Sequence, residues 1–234
     1  MHAKQFLHII LSPVMHLKRL NTLTLLVVGA LTDRKLSVTQ LGRSIINKAQ
    51  EKNNIKRSDR FLSNPRAHQE RFHVYKAFCR CLIGNKPQPW IIVDWSHVPN
   101  TTHQLLSAAL VLKGRALSIY EEVDPQKLLN NHKIHTTFLN RLKSVLPDAR
   151  CPIIISDAGF HGAWFEAVRA LGWSYVGRVR GNISYLLKGN TQWMSYALSV
   201  SNATAEGRKI GKIKCDNNLL IFNSTSKKTP CLSE

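Results

Sequence analysis

Two short apolar runs in the middle of the chain each end in an aspartate. The stretch 90–96 reads Trp-Ile-Ile-Val-Asp-Trp-Ser, and three isoleucines precede Ser156 and Asp157 in the second run. Uninterrupted aliphatic runs of this length predict short, fully buried strands. Ligands of open α/β sheets bind beyond the carboxyl ends of the strands, so Asp94 and Asp157 together predict a divalent-metal site there. For Asp157 alone, capping of the following helix is the alternative.

The pattern around these runs predicts a mixed α/β core with the element order βββαβαβ. The predicted elements are a hairpin of residues 105–112 and 116–123 around Lys113-Gly114, a helix over 126–146, the strand 153–156, a helix over 162–171 and a last buried strand at 175–179. This is the element order of the ribonuclease-H-like fold, in which the first strand lies beside the fourth. That neighbourhood brings Asp94 and Asp157 together although 157 − 94 = 63 positions separate them.

The first 84 residues show helical periodicity with basic side chains outside the apolar rows. Helices are predicted over 16–31, after a capping box at Ser37–Gln40 with Leu41, Ile45 and Ala49 on one side, over 53–62, and over 67–83 as a linking helix. The basic residues singled out are Arg43, Lys48, Lys56, Arg57 and Arg60. Three short helices with basic outer faces predict a small DNA-binding bundle, with helix-turn-helix as one form. A merely solvated charged face is the alternative.

Charge and composition narrow the choice of partner and compartment. Lys and Arg number 33 against 14 Asp and Glu, a formal charge of +19, which points to a polyanion and first of all to nucleic acid. A ribosomal or membrane-surface protein is the alternative. The five cysteines lack zinc-ligand spacing and indicate reduced, cytoplasmic thiols. No signal-peptide pattern begins the chain, and the apolar run 23–31 is too short to cross a bilayer.

A Gly- and Pro-containing breaker at 84–89 predicts a domain boundary. We therefore expect a helical DNA-binding region in residues 1–84 and the first part of a ribonuclease-H-like core in residues 85–181. Residues 182–234, with short apolar runs between Gly, Asn, Ser and Lys, are expected to begin a strand-rich insertion that is incomplete.

Two further features are interpreted as structural and not as functional. His132 and His135 lie three residues apart on a predicted helix, but no cysteine or carboxylate partner is evident for a metal site. Trp95 and Trp164 are predicted to be core or wall residues, with stacking on an extruded base as the alternative.

With both aspartates placed, the chain resembles the DDE transposases of bacterial insertion sequences, especially the cut-and-paste members of the IS-four family. The resemblance is carried by Leu17-Lys18-Arg19-Leu20-Asn21, Asn54-Ile55-Lys56-Arg57 with Arg60, Val93-Asp94-Trp95-Ser96, Ser156-Asp157-Ala158-Gly159-Phe160, Leu171-Gly172-Trp173 and Arg178-Val179-Arg180-Gly181. These segments spread over roughly residues 16–222, and the two aspartate motifs together with Arg-Val-Arg-Gly are specific.

The resemblance implies a reaction and a set of partners. Asp94 and Asp157 match the first and second catalytic aspartates, which would hold Mg²⁺, with Mn²⁺ as a substitute, for phosphoryl transfer. Arg178 and Arg180 would contact phosphate, with solvated surface arginines as the alternative. The implied partners are double-stranded DNA at transposon ends and at the target, with a homodimer in the DNA complex as one option and no membrane. The implied location is the bacterial cytoplasm, with the nucleoid.

The family's third carboxylate is not found in this sequence. It belongs to a pattern of Tyr, two residues, Arg, three residues, Glu, six residues and Lys. Glu70 has Arg66 four positions before it, but Ser63 and Ala77 stand where Tyr and Lys are required. The resemblance therefore predicts a C-terminally truncated transposase without autonomous catalysis. The alternatives are a non-catalytic DNA-binding protein that occupies transposon ends or inhibits the full-length protein, and another ribonuclease-H-type nuclease that uses a different carboxylate.

Overall fold

The computed structural model describes residues 3–34, 36–178, 184–187, 191–195, 211–215 and 218–222. The described chain divides into two compact units. The first is built from residues up to Lys86 together with Leu142–Arg150, and the second from Pro87–Arg141 together with the described residues from Cys151 onward.

The first unit is helical and has two small cores. Its helices are α1 (Ala3–Leu11), α2 (Leu17–Asp33), α3 (Val38–Arg43), α4 (Glu51–Leu62) and α5 (Pro65–Ile83). One core gathers buried residues of α1, α2 and the turn between them: Leu7, Leu11, Met15 and Leu20. The other joins α2 to α3 and the turn after it through Leu26, Leu41 and Ile45. Because these helices are short, packing of their apolar faces supplies most of their stability.

The predicted helix start at Ser37 is confirmed, but the reciprocal half of the capping box is not formed. The Ser37 hydroxyl accepts a hydrogen bond from the backbone N–H of Gln40 at 3.2 Å. The Gln40 side chain instead donates to the Asp33 carboxylate at 2.6 Å, which ties the start of α3 to the end of α2. The side chain of Asn64 caps α5, with Pro65 at the first helical position.

The predicted continuation of α3 through Ala49 is wrong, because α3 ends at Arg43 and a turn runs to Gln50. The side-chain amides of Asn47 and Asn54 exchange two hydrogen bonds of 3.1 Å, and Asn47 also accepts from the backbone N–H of Ala49 at 2.8 Å. Such side-chain bonds offer the backbone an alternative to the helix. The turn brings α4 back against α3.

The second unit is a mixed α/β layer structure with the predicted element order. Its strands are β1 (Trp90–His97), β2 (His103–Leu112), β3 (Arg115–Pro125), β4 (Ile153–Ser156) and β5 (Ser174–Gly177). Its helices are α7 (Gly162–Ala170) and the part of α6 (His132–Val145) that precedes Leu142. The sheet order is β3-β2-β1-β4-β5, with β1 parallel to β4, β4 parallel to β5, and the other pairs antiparallel. This arrangement is compatible with a ribonuclease-H-like core.

Three predicted details of this unit are wrong. The last strand is not buried as predicted, because no residue of β5 falls in the core and Val176 is 48% exposed. The helix expected from residue 126 begins at His132, because a 3-10 turn (Gln126–Leu128) intervenes. Strand β1 is buried on one face only: Ile91 and Val93 are fully buried, whereas Trp90 and Ile92 are 50% and 37% exposed. Side chains alternate across a strand, so an apolar run does not by itself require helices on both faces.

Helices α6 and α7 cover the buried face of the five-stranded sheet. Tyr120 of β3 packs on Phe138 of α6 with ring centroids 5.3 Å apart, and Phe165 of α7 packs on Tyr175 of β5 at 4.7 Å. At Gly177, a Cβ would lie 2.4 Å from the tip of the Phe165 ring, so any larger residue would require this buried ring to shift.

The described residues from Ser184 onward form a second antiparallel sheet. Its strands are β6 (Ser184–Leu187), β7 (Met194–Ser195), β8 (Gly211–Cys215) and β9 (Asn218–Phe222), in the order β7-β6-β8-β9. Among all the described helices, none has the length and apolar character to cross a membrane.

Candidate functional site

Strands β1 and β4 bring Asp94 and Asp157 to neighbouring positions. The two strands run parallel, with Val93 opposite Ser156. Asp94 continues β1 directly after this last pair, and Asp157 is the first residue after the end of β4, on strands that are about 4.8 Å apart. Residues opposite each other in a parallel pair point to the same side of the sheet, and both aspartates are exposed whereas Val93 and Ser156 are buried. Both aspartates are therefore exposed where the pairing of β1 with β4 ends.

Asp94 belongs to a row of paired residues on β1, β2 and β3, and the residues just after β4 and β5 follow on its other side. Ser107 of β2 lies opposite Asp94, and Glu121 of β3 lies opposite Ser107. On the other side, Gly177 lies opposite Ser156, so Arg178 follows in the position next to Asp157. The backbone N–H of Arg178 donates to the carbonyl oxygen of Ser156 at 3.2 Å, which extends the pairing to this residue. The row contains three carboxylates, a hydroxyl and a guanidinium.

The loop after β4 orients the Asp157 carboxylate. Its Oδ1 accepts a hydrogen bond from the backbone N–H of Gly159 at 2.8 Å, an Asx turn that leads the chain away from the sheet. The residue that caps α7 is His161, so the alternative that Asp157 caps the following helix is wrong. A Cβ at Gly159 would lie 3.1 Å from Oδ1, so a larger residue would crowd the carboxylate.

The carboxylate oxygens of Asp94 and Asp157 suit a hard divalent cation, but they are few. Carboxylate oxygens are the ligands that Mg²⁺ and Mn²⁺ prefer. Within the described residues, no group of three or more His, Cys, Asp or Glu side chains could hold a metal ion. Asp94 and Asp157 could therefore supply two carboxylates, with the remaining positions left to water or to phosphate oxygens.

His135 is a residue of this region whose surroundings the sequence interpretation missed. It is 4% exposed and packs among Trp95, Phe160 and Trp164. Burial, with smaller effects from His132 and His161, lowers the pKa of His135 to about 4. A signal was present, because His135 lies three and four positions before the buried Phe138 and Leu139 and so continues the apolar stripe of α6. Of the two tryptophans predicted as core or wall residues, Trp164 is buried and Trp95 is half-buried.

The basic residues of the first unit are divided between an exposed helix face and other settings. Lys56 and Arg60 are exposed on α4 together with Lys52, whereas Arg57 is half-buried. Arg43 forms an exposed ion pair with Glu51 at 2.9 Å.

The remaining predicted DNA contacts lie outside that helix face. Lys48 is exposed on the turn before α4, and not on a helix as predicted. Arg178 is exposed just beyond β5. Arg180 lies outside the described residues.

Arg19 and Glu70, in two segments singled out by sequence, form an ion pair inside the first unit. The guanidinium donates to both carboxylate oxygens, with a distance of 2.9 Å between Arg19 Nε and Glu70 Oε2. These bonds from Arg19 lower the pKa of Glu70 against the opposing effect of burial. Glu70 is thus held by a structural pair.

The region of the five-stranded sheet matches a known protein family. A family model described as "Transposase DDE domain" matches residues 85–219, which is more than half of the chain. The matched region contains both aspartates and all strands of the five-stranded sheet. No curated protein matches the sequence.

Proposed function

Because this chain belongs to the transposase DDE domain family, we propose that it is a DNA transposase whose Asp94 and Asp157 are catalytic carboxylates. The single observation that supports this assignment best is the parallel pairing of β1 with β4, in which Val93 lies opposite Ser156 and each of these two residues directly precedes one of the aspartates. We further propose that the chain is of the insertion-sequence, cut-and-paste type and acts on transposon-end and target DNA, as a monomer or as a homodimer on DNA.

Asp94 and Asp157 would hold the divalent cation. A bound Mg²⁺ would polarise a phosphoryl oxygen and lower the pKa of bound water, the chemistry that phosphodiester cleavage requires. Asp157 has a fixed orientation because Gly159 engages its Oδ1. Arg178, in the same row, would contact a phosphate of the DNA strand and offset its charge.

Metal binding tests this site directly. Wild-type protein and the Asp94→Asn and Asp157→Asn variants are titrated with Mn²⁺ and followed by electron paramagnetic resonance. We expect each variant to lose most of the affinity, because each removes one of two charged ligands. Glu166→Gln, which removes an exposed carboxylate of α7, is the matched control and should bind like the wild type. Equal Mn²⁺ binding by all four proteins would reject the assignment.

We propose that the exposed face of α4 contacts DNA phosphates through Lys52, Lys56 and Arg60. The face is basic, and its opposite side is fixed by the buried Asn54 and Ser58. The pairing of Arg43 with Glu51 makes Arg43 a weaker phosphate ligand than the sequence suggested. Helices α3 and α4 with the turn between them support the helix-turn-helix interpretation.

The salt dependence of DNA affinity separates a DNA-binding face from a solvated one. Lys56→Ala/Arg60→Ala is compared with Lys18→Ala/Arg80→Ala, which removes the same charge from exposed positions on α2 and α5. Removing one phosphate-binding side chain should reduce the slope of log affinity against log salt by about 0.9, so the slope of the α4 variant should fall by about 1.8. An equal reduction in both variants would mean that only net charge matters.

The second candidate function is DNA binding without cleavage. Two observations favour it: the Tyr-Arg-Glu-Lys pattern is absent from the sequence, and the described residues hold no three-ligand metal group. We propose that the chain alone binds divalent metal weakly and cuts little or no DNA. A supercoiled-plasmid nicking assay with Mg²⁺, run beside a shift assay on transposon-end DNA, decides between the two. Robust nicking that Asp94→Ala abolishes would establish the full enzyme.

A further inference from the structure

A buried aromatic cluster lies on the opposite side of the sheet from the two aspartates. Trp95 follows Asp94, so its side chain points to the other face of β1. Its indole Nε1–H donates a hydrogen bond to Nε2 of His135 at 3.2 Å. Because Nε2 accepts this bond, His135 is neutral and carries its proton on Nδ1. The depressed pKa of His135 agrees with that state at neutral pH.

The cluster continues from His135 to the strand that carries Asp157. The His135 ring lies 5.3 Å from the Phe160 ring and 5.1 Å, edge-on, from the Trp164 ring. Phe160 and Trp164 pack on each other at 4.6 Å. The indole Nε1–H of Trp164 then donates to the hydroxyl of Ser156 at 3.2 Å. Ser156 is buried and immediately precedes Asp157.

His135 therefore contacts side chains that lead to both carboxylates. One path ends at the residue after Asp94, and the other at the residue before Asp157. Both paths include a directional N–H bond to a fixed acceptor, whereas apolar packing alone tolerates sliding. We name this cluster, which consists of Trp95, His135, Phe160 and Trp164, the aromatic brace.

We infer that His135 is a positioning residue that, through the aromatic brace, fixes the ends of β1 and β4 and so sets the spacing of Asp94 and Asp157. The inference rests on the proposed function, because the spacing matters only if the two carboxylates share a cation. Substituting groups that hold metal-binding side chains in place typically weakens metal affinity by about 10–100-fold.

Three variants of the full chain separate positioning from filling of the core. His135→Phe keeps an aromatic ring and removes the acceptor, His135→Gln retains an acceptor, and Trp95→Phe removes the donor. Phe138→Leu is the control, because Phe138 is a fully buried aromatic on the same helix that packs on Tyr120 and not on Trp95.

Hydrogen exchange measured by mass spectrometry tests, without any metal, whether the aromatic brace protects the backbone amides near the two aspartates. We expect His135→Phe and Trp95→Phe to speed exchange in peptides covering 94–97 and 157–160 and not in those covering β3. His135→Gln should restore part of the protection. Phe138→Leu should change exchange at β3 instead. Unchanged exchange at both aspartate segments, or an even rise throughout the unit, would overturn the inference. If His135→Phe fails to fold, Trp95→Phe tests the same hydrogen bond by removing its donor.

Mn²⁺ affinity measures the consequence for the site. His135→Phe should weaken it by about tenfold, as outer-shell substitutions at metal sites do. His135→Phe and Trp95→Phe combined should weaken it no further than either alone, because they break the same bond. Full additivity would contradict action through Trp95. If wild-type protein binds Mn²⁺ no better than Asp94→Asn, the proposed metal site fails, and the exchange data still decide whether the brace exists.

Discussion

Replacing Gly42 by alanine tests whether the close approach of α3 and α4 determines the stability of the first unit. A Cβ at position 42 would lie 2.5 Å from Cα and 2.7 Å from the backbone nitrogen of Ile55. Ordinary van der Waals contact begins at 3.4 Å, so the helices must separate by 3.4 − 2.5 = 0.9 Å. Since the obstacle is backbone, a change of rotamer cannot relieve it.

The separation has a calculable cost. The two Asn47–Asn54 hydrogen bonds of 3.1 Å would lengthen to about 4 Å if the helices moved apart along them, beyond hydrogen-bonding distance. Each neutral bond contributes about 1 kcal/mol and overpacking costs about 1–3 kcal/mol, against about 1 kcal/mol gained from the helix propensity of alanine. We expect Gly42→Ala to lower the free energy of unfolding by about 2–4 kcal/mol.

Urea unfolding followed by two probes isolates the effect. All five tryptophans lie between residues 90 and 193, so their fluorescence reports the second unit, whereas circular dichroism at 222 nm also reports α1–α5. The dichroism transition of Gly42→Ala should move to lower urea while the fluorescence transition stays. Thr39→Ala, at an exposed position of α3, is the control and should leave stability unchanged or slightly raised. An unchanged or raised dichroism midpoint for Gly42→Ala would refute the reasoning.

Three further predictions concern packing and protonation. Gly177→Ala should lower the free energy of unfolding of the second unit by about 1–3 kcal/mol by fluorescence, and Phe165→Leu in the same chain should recover part of it, because the Cβ would lie 2.4 Å from that ring. The pKa of His135 is lowered from 6.5 to about 4, so between these two pH values the unfolded chain binds more protons than the folded one. The free energy of unfolding should therefore fall as the pH drops from 6.5 to 4, by at most about 3 kcal/mol. His135→Phe should flatten this pH dependence, and an equal slope in variant and wild type would contradict the prediction. Arg19→Met should lower stability at pH 7 by dichroism, because Glu70 loses its partner. The pKa of Glu70 is lowered by Arg19, so this loss should shrink as Glu70 becomes protonated at acidic pH. A pH-independent loss would mean that packing alone is affected.

Local chemistry made much of the second unit predictable. Strand runs, the Lys113-Gly114 turn and the apolar stripe of α6 predicted the order of elements, because alternation and helical periodicity follow from backbone geometry alone. The start of α3 at Ser37 was also predictable, because capping is local: the Ser37 side chain accepts a hydrogen bond from a backbone N–H that has no partner within the helix. The end of α3 was not, because it depends on a hydrogen-bonded amide pair between Asn47 and Asn54 that only the folded chain brings together.

The sequence by itself determined that two aspartates end apolar strands, that the chain is strongly basic, and that its motifs are those of a transposase. Only the tertiary structure decided that β1 pairs in parallel with β4 and that Val93 lies opposite Ser156, since the register of parallel strands depends on a crossover connection that local pattern does not encode. It also decided that His135 is a buried acceptor for Trp95, 40 residues away along the chain. The physical reason is that strand pairing and burial are properties of contacts between distant segments, whereas propensity and charge belong to each residue on its own.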